Sequence, residues 1–461
     1  MPITSILDIY TKKKYLNKEI TINGWIRSKR TSKIGISFLT ITDGSSINTI
    51  QVIAKKSLYN YVTEIIKLTT GCSVIISGVL VLSPGNLQIY EIQSNKIKVI
   101  GWIKNPEKYP ISAKKHTIEH LRKFCHLRPR TNLISAISRI RNIVFQSLNL
   151  FLFNKQYLWV STPIITSLDT EGSSSMFKVS MLDNNNQYTN NNNKKFFKKD
   201  VFLTVSGQLT LEAYACALSK VYSLGPIFRA ENSNTKKHLT EFWMLEVEKA
   251  FSNINDISKF AEKLLKFSIS YVLDNCISDL IFLQKKLNRN IISYLNDFLY
   301  KDFINIEYSE VINILQKNKN SSYENINWGE DLSSSHEKYL VHKYFKSTVI
   351  VRNYPRLLKA FYMRMNSDNK TVAAFDILVP NIGEIIGGSE REDRIMYLEK
   401  NMNKVGLNSK NYSWYKDLRK YGTIPHSGFG LGLERLIIFI TGIKNIRESI
   451  PFPRTIRHAD F

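Results

Sequence analysis

The 461-residue chain has only four cysteines, Cys72, Cys125, Cys216 and Cys276, and no two stand in CxxC spacing. That excludes a disulfide framework and a thiolate zinc site, and it fits a reducing cytoplasm. Nowhere do apolar residues run to the roughly 20 needed to span a bilayer. The N-terminal MPITSILDIYTKKK has an early acid and lacks the apolar core of a signal peptide. Acids are the other shortage: 39 Asp+Glu face 64 Lys+Arg, a net charge of +25. So basic a chain suits a polyanionic partner, because phosphate neutralisation dominates nucleic-acid affinity. Lys, Asn and Ile are abundant together, as an AT-biased coding sequence would produce, so the charge is weak support for RNA binding. The rest, 43% hydrophobic and 22% charged, is the composition of a soluble globular protein with room for two to four domains.

Residues 17–103 carry short β-branched or alternating runs at Ile20–Ile26, Ile36–Thr42, Thr49–Ile53, Ser73–Leu82, Leu87–Gln93 and Ile97–Ile100. Asp43-Gly44 and Ser83-Pro84-Gly85 punctuate them as turns. With a short helix near Leu58–Leu68, they predict a small Greek-key barrel of OB type. Arg27, Lys29, Arg30, Phe38, Gln51 and Glu91 are candidates for its surface. A basic edge beside an aromatic suits single-stranded nucleic acid, with stacking worth about 1–3 kcal/mol per base; Phe38 as plain core is the alternative. Residues 104–130, broken by Pro106, Pro110 and Pro129, read as a linker in which His116, His120 and His126 are solvated. The expected division is therefore 1–103, 104–130 and 131–461.

From Asn132 the apolar residues Leu133, Ile137, Ile140, Val144, Leu148 and Leu152 repeat at helical spacing. Tyr157–Val160 and Thr162-Pro163-Ile164-Ile165 follow, a helix and strand suited either to a subunit interface or to the intrachain core. Residues 184–199 are an Asn/Lys-rich low-complexity loop. Val201–Val205 is a strand, and Ser206-Gly207-Gln208 caps a helix Leu209–Lys220. Pro226–Phe228 and Phe242–Val247 form a hairpin around a polar loop, with Phe242, Met244, Glu246 and Glu248 on one strand face. Two acids beside two apolar residues there suggest a nucleotide cradle; a half-exposed hairpin is the plainer alternative. Residues 254–345 are mostly helical, and Val349–Val351, Ala360–Arg364 and Ala373–Val379 return to strand. In His426–Ile443 the alternating Gly428, Gly430 and Gly432 leave a strand face bare, and Arg435 opens the next helix, where its charge and the helix dipole favour phosphate.

Arg229-Ala-Glu231, a polar loop and Glu241-Phe242, upstream of Gly430-Leu-Gly432-Leu-Glu434-Arg435, resemble motifs 2 and 3 of class II aminoacyl-tRNA synthetases. The segment ending at Pro163 resembles motif 1, and the OB barrel narrows the likeness to the aspartyl/asparaginyl/lysyl subgroup. FRAENSNT, EFWMLE, GEIIGGS, YGTIPHSGFGLGLERL and IPFPRT resemble the bacterial asparaginyl-tRNA synthetase branch, over nearly the whole chain. The likeness implies an α+β fold: an N-terminal OB-fold β-barrel, then a catalytic domain with a six- or seven-stranded antiparallel sheet flanked by helices. It also implies a cytoplasmic homodimer that joins L-asparagine to tRNA(Asn) through an adenylate made from ATP, with Mg2+.

Residue by residue, Arg229 resembles the α-phosphate arginine, Glu231 the contact to the adenine amino group and His238 a γ-phosphate contact. Phe242 and Arg435 resemble the pair that sandwiches adenine, and Asp376 and Glu384 the Mg2+ acids. Glu171, Ser206 and Gln208 resemble residues around the substrate's ammonium group. Phe38 and Gln51 resemble anticodon-binding residues, with Glu91 as a third. Arg391 matches the arginine on the side-chain oxygen of either aspartate or asparagine. Leu211 stands where an aspartate enzyme has a lysine, and Glu246 where it has an aspartate, so asparagine is the expected substrate. Glu390 departs from the glutamine expected there and either pairs with Arg391 or points away. Three alternatives remain at this stage: an aspartyl or non-discriminating synthetase, an ATP-dependent asparagine-forming enzyme on the same catalytic fold, and an inactive RNA-binding paralogue.

Overall fold

The computed structural model describes residues 3–85, 88–172, 175–181, 196–317 and 326–461. Most of the predicted low-complexity loop, 184–195, the first residue of the Leu87–Gln93 run and 318–325 of the helical region lie outside the described residues. The chain divides into two compact units, Met1–Arg139 and Ile140–Phe461.

In the first unit, β1 (Glu19–Thr31), β2 (Ile36–Thr42), β3 (Ile50–Lys55), β4 (Ser73–Leu82) and β5 (Tyr90–Gly101) close into a barrel in the order β1-β2-β3-β5-β4. Period-2 alternation decides which side chains enter it. Leu39 and Ile41 of β2, Val52 of β3 and Ile92 of β5 are fully buried, and their neighbours Phe38 and Gln51 are half-buried on the opposite face. Glu91, expected at the surface, is itself buried at 6% exposure, with Gln51 and Ser83 hydrogen-bonded to its carboxylate. The predicted Leu58–Leu68 helix is instead a run of turns ending in one 3-10 turn, Ile65–Lys67. The linker histidines are not simply solvated: His116 and His120 stack with centroids 4.9 Å apart, and each places Nε2 on a carbonyl, Ser112 and Pro110 respectively.

The second unit adds the short β6 (Leu158–Trp159), β7 (Ile165–Thr166), β8 (Lys178–Val179) and β9 (Val201–Leu203). Then come β10 (Lys220–Phe228), β11 (Glu241–Ala250), β12 (Ile304–Glu307), β13 (Val349–Pro355), β14 (Thr371–Val379), β15 (Gly383–Glu390) and β16 (His426–Gly432). Eight of them form one sheet, ordered β12-β13-β14-β15-β16-β11-β10-β6. The six central strands are antiparallel, and a short parallel strand extends each edge. The sheet is therefore wider than the expected six or seven strands. Part of the reason is that the helical region is not purely helical: β12 pairs with β13, between the helices Ile291–Tyr300 and Tyr308–Lys317.

Ala360–Arg364 is not a strand; only Met363 bridges to Arg391, as the chain leaves the sheet and folds over its face. The helix after Gly207 runs Gln208–Leu218, its first N–H, on Gln208, donating to Ser206 Oγ at 3.1 Å as the expected cap requires, and ends at Ser219 with φ +68°. Among the described residues no helix is long and apolar enough to cross a membrane.

Candidate active site

Antiparallel pairing of β10 with β11, and of β11 with β16, sets the register of the site. Ile227 stands opposite Phe242, Met244 opposite Gly432 and Glu246 opposite Gly430, so the polar side chains of β11 lie over the glycines of β16. The resulting surface carries two cavities. One, with about 730 Å³ of empty space, is lined by Arg229, Glu231, His238, Phe242, Glu384, Gly430, Gly432 and Arg435, among others. The other, about 1520 Å³, is lined by Glu171, Ser206, Gln208, Glu246, Asp376 and Arg391. Arg229, Met244, Glu384 and Gly430 line both. Every candidate catalytic, nucleotide, amino-acid and metal residue of the sequence thus falls on one of two adjoining cavities.

In the first cavity Arg229 follows the end of β10, with its guanidinium 5.7 Å from the centre of the Phe242 ring. Its Nη2 donates to Glu171 Oε1 at 2.6 Å, Glu231 lies 4.0 Å away, and its buried Nε has no protein partner. Burial opposes the charge, but Glu171, Glu231 and Glu384 more than offset it, so the group is held more basic than usual. His238 is fixed through Nδ1 by Ser233 (3.1 Å) and Thr235 (2.6 Å). Burial, then the nearby Arg435, lowers its pKa below the ordinary histidine value and favours the neutral ring. Arg435, in the first turn of the helix Leu433–Thr441, donates to the Glu384 carbonyl at 2.9 Å and to its carboxylate at 3.2 Å. Burial opposes the Glu384 charge, but Arg435 and Lys359 outweigh it and hold the carboxyl below the usual range.

Asp376 and Glu384 converge over Gly387: a Cβ there would lie 3.3 Å from Asp376 Oδ1 and 3.1 Å from Glu384 Oε1. Lys359 Nζ lies 2.6 Å from Asp376 Oδ2, leaving Oδ1 on the cavity side. Burial, with Glu384 beside it, pushes the Asp376 carboxyl upward. Two carboxylate oxygens converging over a bare glycine fit a hard divalent cation whose remaining ligands are water and phosphate. Among the described residues no cluster of three acidic, His or Cys side chains forms a closed metal site.

In the second cavity Glu246 accepts from the Ser206 hydroxyl, from Ser223 (3.2 Å) and from Gly207 N–H, which reaches its two oxygens at 3.1 and 2.9 Å. Burial pushes this carboxyl upward and those donors pull against it. Gln208 donates to Glu212 Oε1 at 3.1 Å, which leaves its own oxygen uncommitted. Glu171 sits on a loop whose Asp169 carbonyl accepts from Tyr412 and whose Thr170 donates to the Ser206 carbonyl. Leu211 lies outside both cavities, fully buried among Val160, Ala215 and Val221. Glu390 points away from Arg391: its Oε1 accepts from Ile254 N–H at 2.8 Å, and Oε2 lies 3.6 Å from Arg364 Nε. Adjacent residues of an extended strand face opposite sides, so the departure at 390 leaves the cavity untouched.

Two residues beside the site, Lys359 and Glu212, were given no role from the sequence, and Glu248, placed on the strand face of Glu246, was given no partner. Glu248 pairs with Arg391, and Lys359 pairs with Asp376. Glu212 sits at the centre of a buried cluster with Arg419, His426 and Tyr415. The only signal for Glu248 was its alternation with Glu246, and for Glu212 its i+4 spacing from Gln208.

On the barrel, Gln51 pairs with Glu91 across the parallel β3–β5 junction, Nε2 to Oε2 at 3.3 Å. The Arg30 guanidinium covers the Phe38 ring at 4.7 Å. Phe38 and Gln51 therefore share one half-buried face of β2 and β3 beside a cation, with Glu91 buried next to Gln51 on β5.

The sequence pattern of tRNA synthetases class II (D, K and N) matches residues 117–456, and that of the OB-fold nucleic acid binding domain residues 20–105. The chain is 58% identical to an asparagine--tRNA ligase of Buchnera aphidicola subsp. Acyrthosiphon pisum, over 99% of each chain. It is 51% identical to an asparagine--tRNA ligase of Escherichia coli O157:H7, over 100% of each. The solved asparaginyl-tRNA synthetase from Pyrococcus horikoshii, complexed with asparaginyl-adenylate, superposes with a TM-score of 0.88 at 31% identity, covering 100% of this chain and 99% of that one. The catalytic sheet, the OB barrel and these full-length likenesses agree: the chain belongs to the class II tRNA synthetases, in the asparagine--tRNA ligase family.

Proposed function

We propose that this chain activates L-asparagine with ATP and transfers the asparaginyl group to tRNA(Asn), and that the residues act as follows. The observation that carries the reading is the junction of the two cavities at Arg229, Met244, Glu384 and Gly430. A nucleotide and an amino acid seated in them meet at the guanidinium of Arg229. The purine lies between Phe242 and Arg435, with Glu231 on its amino group, and His238 and Arg435 take the terminal phosphate. Glu171, Ser206 and Gln208 hold the ammonium group, while Glu246 and Arg391 take the two ends of the carboxamide. Asp376 and Glu384 hold Mg2+, which when bound neutralises phosphate charge.

The asparagine carboxylate is already ionised, so an oxygen attacks the α-phosphorus without a general base. The bond to the bridging oxygen breaks and pyrophosphate leaves with its electron pair. Arg229 donates to the α-phosphate oxygens as negative charge builds there, and alignment of the two reactants supplies much of the rest. A ribose hydroxyl of the terminal adenosine of tRNA then attacks the acyl carbon and AMP leaves. The barrel face of Phe38, Gln51 and Glu91 reads the anticodon, which fits a division into a barrel (1–103), a hinge (104–130) and a catalytic domain (131–461).

Homodimerisation is supported by apolar side chains exposed in one stretch of the second unit, Phe153, Leu158, Trp159, Ile164 and Ile165. Four free thiols suit a reducing cytoplasm. The test is exchange of labelled pyrophosphate into ATP with asparagine, aspartate and lysine side by side. Exchange driven by asparagine alone supports the reading, and exchange driven equally by aspartate overturns the specificity.

A further inference from the structure

The roles above leave Glu248 unassigned, although it is 1% exposed and lines the amino-acid cavity next to Glu246. Arg391, just past the end of β15, reaches over β16 to it. Its Nε lies 3.1 and 3.3 Å from the two Glu248 oxygens, Nη2 donates to the same carboxylate, and Nη1 donates to Ser389 Oγ at 2.6 Å. A Cβ at Gly428 would overlap the Glu248 carboxylate, so the bare strand face serves this ion pair as well as the substrate. The Tyr362 ring backs the guanidinium at 5.4 Å. A guanidinium has five N–H donors in a fixed fork. Three are taken here, which leaves one on Nη1 and one on Nη2.

Burial pushes the Glu248 carboxyl up to about 7, whereas on Arg391 the contact with Glu248 outweighs burial and raises its pKa. The permanent charge of the guanidinium and its N–H contacts to one carboxylate decide for the ion pair. The charges at this end of the cavity are then Arg391, Glu248 and Glu246, with Glu212 behind them already paired with Arg419 and bonded to His426. With Arg391 cancelled by Glu248, Glu246 is in excess.

We propose that Glu248 is a positioning and specificity residue for asparagine activation: it cancels the Arg391 charge and fixes the guanidinium edge-on, so a neutral carboxamide meets two aimed donors while an aspartate carboxylate meets net negative charge. This rests on the proposed reading of the site. Arg391 alone cannot reject aspartate, since a free guanidinium binds a carboxylate better than an amide oxygen. Bound edge-on to Glu248, it discriminates by geometry and leaves the charge of Glu246 unopposed.

The test is Glu248→Gln, which keeps the shape and removes the charge, assayed by pyrophosphate exchange with asparagine and with aspartate. The asparagine-to-aspartate ratio of kcat/KM should fall by at least about tenfold, with aspartate gaining in absolute terms. An unchanged ratio, or equal loss with both amino acids, would overturn the assignment. Glu248→Asp keeps the charge on a shorter stem: the ratio should stay within about threefold of wild type while KM for asparagine rises. A collapsed ratio in Glu248→Asp would equally overturn it, and this variant decides if Glu248→Gln does not fold. Failure of the wild type to exchange with asparagine would refute the parent reading, whereas normal wild-type exchange with an unmoved ratio in the variants refutes only the part given to Glu248.

Discussion

Removing the Arg229 guanidinium takes away the donor that both cavities share. Arg229→Ala should lower asparagine-dependent pyrophosphate exchange by about 10²–10³-fold or more, the usual cost of losing one donor aimed at developing charge. Near-normal exchange would show that the α-phosphate is held elsewhere. Glu246→Gln removes the anion left in excess beside Arg391 and should raise aspartate activation relative to asparagine. A ratio equal to wild type would dismiss Glu246 as the selector. At this scale the motif residues were legible because family spacing carries them: Arg229, Phe242 and Arg435 each sit in a short recurring pattern. Glu248 was not legible as a partner of Arg391. Their contact spans 143 residues and exists only because β15, β16 and β11 lie side by side in one register.

Among the elements, the helix Gln208–Leu218 and the segment Ser413–Lys420 are joined by charge rather than by apolar packing alone. Glu212 accepts from Arg419 at 2.7 Å, from the Tyr415 hydroxyl at 2.7 and 2.8 Å, and from His426 Nε2 at 2.9 Å, all out of solvent. Burial opposes the Glu212 charge, but Arg419 and then His426 outweigh it and hold the carboxyl well below the usual range. A carboxyl depressed in the folded state stabilises it above the unfolded pKa, and loses that contribution as pH falls toward the folded value. Wild-type melting temperature should therefore drop as pH is lowered from about 5 to about 3. Glu212→Gln, less stable by about 3–5 kcal/mol at neutral pH because Arg419 is left unpaired, should lose less of its remaining stability over that span. Parallel slopes would remove Glu212 as a source of the acid sensitivity. On the barrel, Phe38→Ala should weaken aminoacylation by about 1–3 kcal/mol of lost stacking and spare pyrophosphate exchange; equal loss in both assays would make Phe38 structural. The strands of the barrel and the central hairpin followed from alternation and turn residues. The edge strand β12 and the irregular Ala360–Arg364 did not, because pairing at a sheet edge and a chain lying across a sheet face are decided by distant neighbours.

For the whole molecule, a net charge of +25 gives the encounter with tRNA a strong dependence on salt. Raising salt from about 50 to 200 mM should raise the Kd for tRNA by at least about tenfold and change asparagine-dependent exchange by less than about twofold. A flat salt response would mean that the excess Lys and Arg are drift in composition rather than a binding surface.

The pairing of Arg229 with Glu171 has a consequence for the order of events. On the proposed reading, the guanidinium that would take the phosphate is already paired with a side chain of its own protein. Nucleotide arrival would then be an exchange of anions and not the filling of a vacancy. The displaced Glu171 carboxylate, which lines the neighbouring cavity, would be set free just where an incoming ammonium group requires a counter-charge.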